Sequence, residues 1–327
     1  MIRKGFFQDW GVLIAFIVLF AFNVFRPGST FLDPENLRNL VSQSAVVGLI
    51  AIGMTFVIIT GGIDLAVGSL VAMAGAATVL VLNKVGPSGA STAIFVALLA
   101  GVGVGALMGL ANGLVVAYGR VAPFIVTLAG LAGFRSIAMV LGDGGEIRST
   151  VPSFQNIGFG GIPLPAKTAN GEPVMLYWSV VIFIAVALLA GFVLNKTRFG
   201  RHVIAVGANE KAAHYSAIDT KKVKVAVYTM LGLLTGLAAF LLSARMNSVG
   251  TGSVGLYYEL DAIAAVVIGG TSLRGGKGRI WGTVVGMLLL TLISNMMTAY
   301  RIDTDWQGLV RGAVILIAVL MQRQKEA

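Results

Sequence analysis

Long apolar stretches separated by short polar joints run through almost the whole chain. Runs of roughly 20 apolar residues are what a helix needs to cross a bilayer. They fall at 10–25, 41–60, 65–82, 91–117, 121–141, 175–195, 223–244, 260–270, 280–299 and 306–321. Ten crossings place both termini on one side. The eighth run is short: as a helix it rises about 16 Å, roughly half the hydrocarbon core. It either extends back through Tyr257 or is a broken helix held inside the bundle. Two polar joints are long. Residues 142–174 are rich in Gly, Pro and Ser, whereas 196–224 is basic and contains an alanine-rich stretch, 205–217, suited to a short helix. The pattern predicts an all-α polytopic transmembrane bundle forming a single domain over residues 1–327.

Composition agrees. Of 327 residues 57% are hydrophobic and 12% charged, about half the charge of an ordinary soluble domain. The net charge of +10 would hint at nucleic acid in a soluble protein. Here the basic residues sit between apolar runs and report orientation instead. Arg3, Lys4, Arg120, the 196–224 segment, Arg274, Lys277, Arg279, Arg323 and Lys325 share one side. Arg26, Arg38, Lys84, Arg148, Lys167, Arg245 and Arg301 take the other. The excess makes the first side, and both termini, cytoplasmic, and it supports an eighth run that crosses. Arg135 and Arg311 fall within predicted spans, where such residues face the interior or snorkel. The first run is read as an uncleaved span, because Arg26-Pro27-Gly28 follows it instead of a small-x-small site. There is no cysteine, and His202 and His214 lack a carboxylate cluster beside them, so no metal site is expected.

Few residues carry chemistry. Gly101, Gly105, Gly109 and Gly113 repeat every four positions and form a thin helix face for close packing. Asp64 suits the N-cap of the third helix; read functionally, it is an intramembrane carboxylate for a proton or cation. Glu259 and Asp261 open the eighth run near the outer surface, as helix-start charges or as an entrance. Asn112, Phe124, Thr127, Phe134 and Asn295 are the expected lining of a translocation path: amides, a hydroxyl and rings suit a neutral polar solute such as a sugar. Catalytic motifs and the Gly-x-x-x-x-Gly-Lys-Ser/Thr loop are lacking; Gly275-Gly276-Lys277-Gly278 does not have that spacing. The Gly-Gly pairs at 61–62 and 269–270 form a short internal similarity, too brief to prove duplication.

Several blocks carry a family likeness. Gly53-Met54-Thr55-Phe56-Val57-Ile58-Ile59-Thr60-Gly61-Gly62-Ile63-Asp64-Leu65-Ala66-Val67-Gly68-Ser69 resembles a signature of sugar-type ABC importer permeases of the ribose, xylose and galactose class. Glu259-Leu260-Asp261-Ala262-Ile263-Ala264-Ala265-Val266-Val267-Ile268-Gly269-Gly270-Thr271-Ser272-Leu273, with Gly275-Gly276-Lys277-Gly278-Arg279, matches a second block. Thr197-Arg198-Phe199-Gly200-Arg201 and Gly207-Ala208-Asn209-Glu210 match an inner loop. The likeness runs from about 36 to 321.

The resemblance implies a multi-pass bacterial inner-membrane subunit, not itself an enzyme, that translocates a monosaccharide. Its implied partners are a second permease subunit, a cytoplasmic ATPase with two nucleotide-binding modules that holds the ATP and magnesium, an extracytoplasmic sugar-binding protein and membrane lipid; this chain carries no cofactor. It also implies a coupling loop at 196–222, with Gly207, Asn209, Glu210, Ala212, Ala213, Ser216 and Ile218 at the ATPase contact. Lys211 and Ala217 depart from the ribose permeases, which have alanine and glycine there. Asp64, Glu259 and Asp261 are assigned structural or gating roles. Two other readings stay open: the same machine for another solute, such as an autoinducer or a branched-chain amino acid, and an ion-coupled secondary transporter resting on Asp64.

Overall fold

The computed structural model describes residues 6–26, 30–167, 171, 173–303, 306–310, 312, 313 and 316. Expectations for Arg3, Lys4, Arg311, Arg323, Lys325 and most of the tenth run lie outside them. Helices α1 (Phe6–Phe25), α2 (Pro34–Ile59), α3 (Val67–Val85), α4 (Ala90–Tyr118) and α5 (Pro123–Leu141) follow the first five apolar runs closely. β1 (Glu146–Arg148), α6 (Gln155–Phe159), β2 (Gly161–Lys167) and β3 (Pro173–Tyr177) fill the long polar joint. Next come α7 (Trp178–Lys196), α8 (Arg198–Ala208), α9 (Glu210–Tyr215), α10 (Thr220–Met246), β4 (Ser248–Gly250), α11 (Tyr258–Ile268) and α12 (Ile280–Ala299). Seven of these helices are long and apolar enough to cross a membrane, and 10–25 forms a shorter apolar stretch. The chain is a polytopic helical membrane protein.

The helix starts follow local chemistry. Asp33 accepts the Glu35 amide at 2.9 Å and Pro34 occupies the first turn of α2. Pro123 opens α5 in the same way. Two corrections concern secondary structure. The chain is not purely helical: β1 pairs with β4, and β2 with β3, both antiparallel. These ribbons pair backbone groups where the chain leaves the helices. The second is anchored by Tyr177, over whose ring Arg38 and Arg245 lie at 5.0 and 6.0 Å. The alanine-rich inner stretch is two helices, because Asn209 ends α8 and caps α9.

Packing follows the small-residue faces. Without a hydrophobic drive between helices in lipid, close backbone approach supplies the contact. A methyl group on Gly105 would meet the Gly236 Cα at 2.8 Å, and one on Gly109 the Gly232 Cα at 2.9 Å. The four-residue glycine spacing of α4 is therefore a seam, matched by Gly232 and Gly236 of α10. α1 and α12 run side by side: Trp10 lies 5.7 Å from Trp281 at one end and Arg26 4.3 Å from the Tyr300 ring at the other. α2 and α12 are antiparallel, joined by Thr55 to Thr283 at 2.8 Å and Asn295 to Asn36 at 2.9 Å.

Two elements are interrupted. After α2 the chain runs without helix through 60–66, and α3 starts only at Val67. Ser69 donates to the Leu131 carbonyl at 2.6 Å, halfway along α5, so α3 begins at mid-depth. The eighth run behaves similarly: 251–257 is irregular and α11 is 11 residues long, about half a crossing. The two breaks meet where the backbones of Gly68 and Gly255 touch. Glu259 and Asp261 are thus level with the start of α3 and not near the outer surface, which corrects the sequence reading.

The short repeat has a local cause. Gly61 donates to Ile58 and Gly62 to Val57, at 2.9 and 3.0 Å; Gly270 donates to Val267 and Thr271 to Val266, at 2.9 and 3.1 Å. Each pair is the same helix-ending motif, with a glycine in the left-handed region at φ 79° and 90°. The equivalent positions are Gly61 with Gly270 and Gly62 with Thr271, so the two Gly-Gly pairs are offset by one residue.

Candidate functional site

The basic loop folds as a capped chain of short helices. Thr197 accepts the Gly200 amide at 3.2 Å, Asn209 the Ala212 amide at 3.0 Å, and Asp219 the Lys222 amide at 3.1 Å. The Lys222 amide, and then its side chain, hold the exposed Asp219 carboxyl below the usual carboxylate range. α8 buries Gly200, Val203 and Val206 and exposes Arg201 and His202. Its C-terminus meets two other elements. Gly207 abuts the Ile59 carbonyl and the Gly276 amide, and Gly276 donates to Ile59 at 2.8 Å. Gly275 and Gly276 both have left-handed φ, 85° and 73°. The glycine-rich 275–278 loop therefore binds backbone at the end of α2, not phosphate.

The seven predicted coupling positions divide. Asn209, Glu210, Ala212 and Ser216 are exposed; Ala213 is buried, and Gly207 and Ile218 are half-buried. The second group seats the loop and the first faces outward. Glu210 also pairs with Lys224 of α10 at 2.7 Å, tying α9 to the base of that helix. Tyr215, 87% exposed, stands beside them. Its sequence signal is an aromatic within a hydrophilic stretch. Ala217 adopts φ 62°, a conformation that favours glycine.

Asp64 does not occupy the N-cap of α3; Ala66 does. Asp64 accepts the Ala66 amide at 2.7 Å, is buried, and faces Asn112. Thr127 of α5 and Tyr228 of α10 donate to the Ile63 carbonyl at 3.3 and 3.5 Å. Two helices thereby supply donors to a carbonyl of the 60–66 break, as non-helical backbone at membrane depth requires. Tyr228 was missed in the sequence, where a buried phenol looks like any other apolar-run aromatic.

The second break is held from α5. Arg135 donates to the carbonyls of Thr251 and Val254 at 3.0 and 2.8 Å and interacts electrostatically with Glu259. Cavities of about 570 and 400 Å³ flank it, one against Ala132, Ser136 and Met139, the other against Ser253, Leu256 and Tyr258.

The five predicted path residues are not on one surface. Asn112 lies beside Asp64 and, with Phe134, against Gly130; Thr127 donates to the neighbouring Ile63 carbonyl, and Phe124 is exposed at the start of α5. Asn295 is elsewhere, bonded to Asn36 between α12 and α2.

A family model described as "Branched-chain amino acid transport system / permease component" matches residues 36–319. A ribose import permease protein of Bacillus subtilis is 42% identical, covering 99% of this chain and 95% of its own. One from Escherichia coli K12 is 38% identical, covering 99% and 96%. A xylose transport system permease protein of Haemophilus influenzae is 34% identical, covering 95% of each. No solved structure gives a significant match. With the family match spanning the bundle from α2 to beyond α12, the chain belongs to this family of transport-system permease components.

Proposed function

We propose that this chain is the membrane-spanning permease subunit of an ATP-driven importer for a monosaccharide, a ribose- or xylose-like pentose or a hexose. It is a multi-pass protein of the bacterial inner membrane and a transport subunit, not an enzyme. The observation that carries this reading is α9. It turns Asn209, Glu210, Ala212 and Ser216 outward from a loop seated, through Gly207, on the end of α2. α2 leads directly into the 60–66 break and the Asp64 cluster. A push on α9 thus reaches mid-membrane through touching backbone.

In this reading the basic end is cytoplasmic and ten crossings bring both termini there. A separate ATPase with two nucleotide-binding modules docks on 196–222 and holds ATP and magnesium. An extracytoplasmic protein delivers sugar to the ribbon-bearing end, and a second permease copy completes the path. Nucleotide drives transport only through unequal affinity for the two states of the bundle. The ribose and xylose names of the relatives support a sugar over an amino acid or autoinducer.

Proteoliposomes holding permease, ATPase and binding protein are expected to accumulate labelled ribose or xylose only with ATP. Leucine uptake in place of sugar, or accumulation by the permease alone, would overturn the proposal. Ala212→Trp is expected to cut ATPase recovery on pull-down about tenfold with thermal unfolding unchanged, the loss of about 1.4 kcal/mol of binding; unaltered recovery would remove α9 as the contact.

A further inference from the structure

We propose that the cleft between α1, α2 and α12, at the end away from the coupling loop, holds one anionic phospholipid with a polyol headgroup. Two adjoining cavities share a single cation there. The first, about 260 Å³, is lined by Asn23, Arg26, Thr30, Asn36, Asn295 and Thr298 among others. The second, about 380 Å³, is lined by Val18, Ala21, Phe22, Phe25 and the same Arg26. One is polar, the other almost wholly apolar, and the guanidinium stands at their junction.

That division is the division of a phospholipid. Amides and hydroxyls match the hydroxyls of a glycerol-like headgroup, and Arg26 matches the phosphate through charge-assisted hydrogen bonds. No carboxylate lines either cavity among the described residues, so an anion meets no opposing charge. Val18, Phe22 and Phe25 are exposed along one side of α1, with Phe25 84% exposed, and offer an acyl chain a ridge leading away from the headgroup. The level fits. Arg26 follows the last residue of α1 and lies 4.3 Å from the ring of Tyr300, just past the end of α12. Interfacial aromatics and helix-end cations mark the headgroup depth.

The polar cavity is built, not incidental. Asn36 donates to the Phe31 carbonyl at 2.9 Å and accepts from Asn295 at 2.9 Å, while Asn23 donates to Leu19 at 2.8 Å. These bonds fix the three amides on three different helices or their flanks. A bound headgroup would therefore bridge α1 to the α2–α12 pair. Asn295 thereby acquires a role apart from the translocation path. A soluble sugar phosphate would satisfy the polar cavity alone; only a lipid uses both cavities and the cation between them.

Native mass spectrometry of the detergent-purified full chain tests this, after incubation with phosphatidylglycerol or phosphatidylcholine of identical acyl chains. Phosphatidylglycerol is expected to be retained about fivefold more than phosphatidylcholine, the effect of about 1 kcal/mol from one guanidinium at an anionic headgroup. Arg26→Gln is expected to abolish that preference and Arg26→Lys to keep most of it. Asn295→Leu is expected to erase the preference for phosphatidylglycerol over phosphatidic acid, which lacks the polyol. Lys84→Gln, a cation on the same side but off the cleft, is expected to change nothing. Equal retention of the two lipids by the native chain overturns the proposal whether or not the variants fold. So does undiminished selectivity in Arg26→Gln, or equally tight retention of free glycerol phosphate.

Discussion

α2 and α5 are both apolar enough to span a bilayer, yet 94% of the most apolar 18 residues of α2 are buried and only 17% of those of α5. α2 is wrapped by α7, α10, α11 and α12. α5 touches the bundle through a narrow stripe, Val126, Thr127, Gly130 and Ala138, which lies mainly on α3. The contrast teaches that apolarity reports a helix's solvent class, not its neighbours. A helix surrounded by protein and one that faces lipid or a second subunit carry the same signal, since lipid tails are as apolar as leucine. Yet α5 supplies Thr127 to one break and Arg135 to the other. The loosely packed helix touches both interrupted elements, and the buried one links the first of them to the coupling loop.

The largest expected effect breaks the comparison directly. Phe56, fully buried in α2, is expected to cost about 3–5 kcal/mol when replaced by alanine, through the cavity left behind. Phe124→Ala, on exposed α5, is expected to cost under about 1 kcal/mol. Thermal and denaturant unfolding in one detergent measures both; equal losses would mean that α5 is not a separate, loosely held face. Arg135→Leu comes next. It strips two carbonyls of their donor and leaves Glu259 without its cation, at about 1–3 kcal/mol. Hydrogen exchange at 251–257 should rise while that of α2 stays put. The smallest effect is at the coupling loop. Ala217→Gly is expected to stabilise by about 1 kcal/mol by relieving a left-handed alanine, read as a raised unfolding midpoint with unchanged ATPase recovery.

The legible parts were those fixed by local rules. Nine of the apolar runs coincide with helices to within a few residues, apart from the earlier starts of α1 and α2; the tenth, 306–321, lies mostly outside the described residues. The glycines of α4 announced a close seam, but its other side, Gly232 and Gly236, was not singled out. The short eighth run announced a break, and the basic inner loop announced helix but not its division at Asn209. Asp64 looks like the cap of α3, but that cap is Ala66; Glu259 looks superficial because depth along an apolar run assumes a continuous helix. Irregular backbone inside an apolar run carries the chain inward before its helix begins, so a carboxylate at the head of that helix lies deeper than its place in the sequence suggests. Asn295 is polar inside an apolar run, and the run does not say which side of the helix meets which partner; its bond to Asn36 is legible only in the structure.

What the sequence determined alone, then, is which stretches become helices, where several are capped, and which end of the bundle is basic. Each depends on residues within a turn or two of one another, or on composition. The tertiary structure decided which backbone carbonyls in the two breaks find donors and that Gly68 meets Gly255. It also decided that Glu210 reaches Lys224 and that Arg26 sits between a polar and an apolar cavity. Gly68 and Gly255 are 187 positions apart, and Arg26 and Tyr300 are 274. Within a bilayer an unpaired polar group has no water to turn to, so its partner is fixed by where other helices happen to pass.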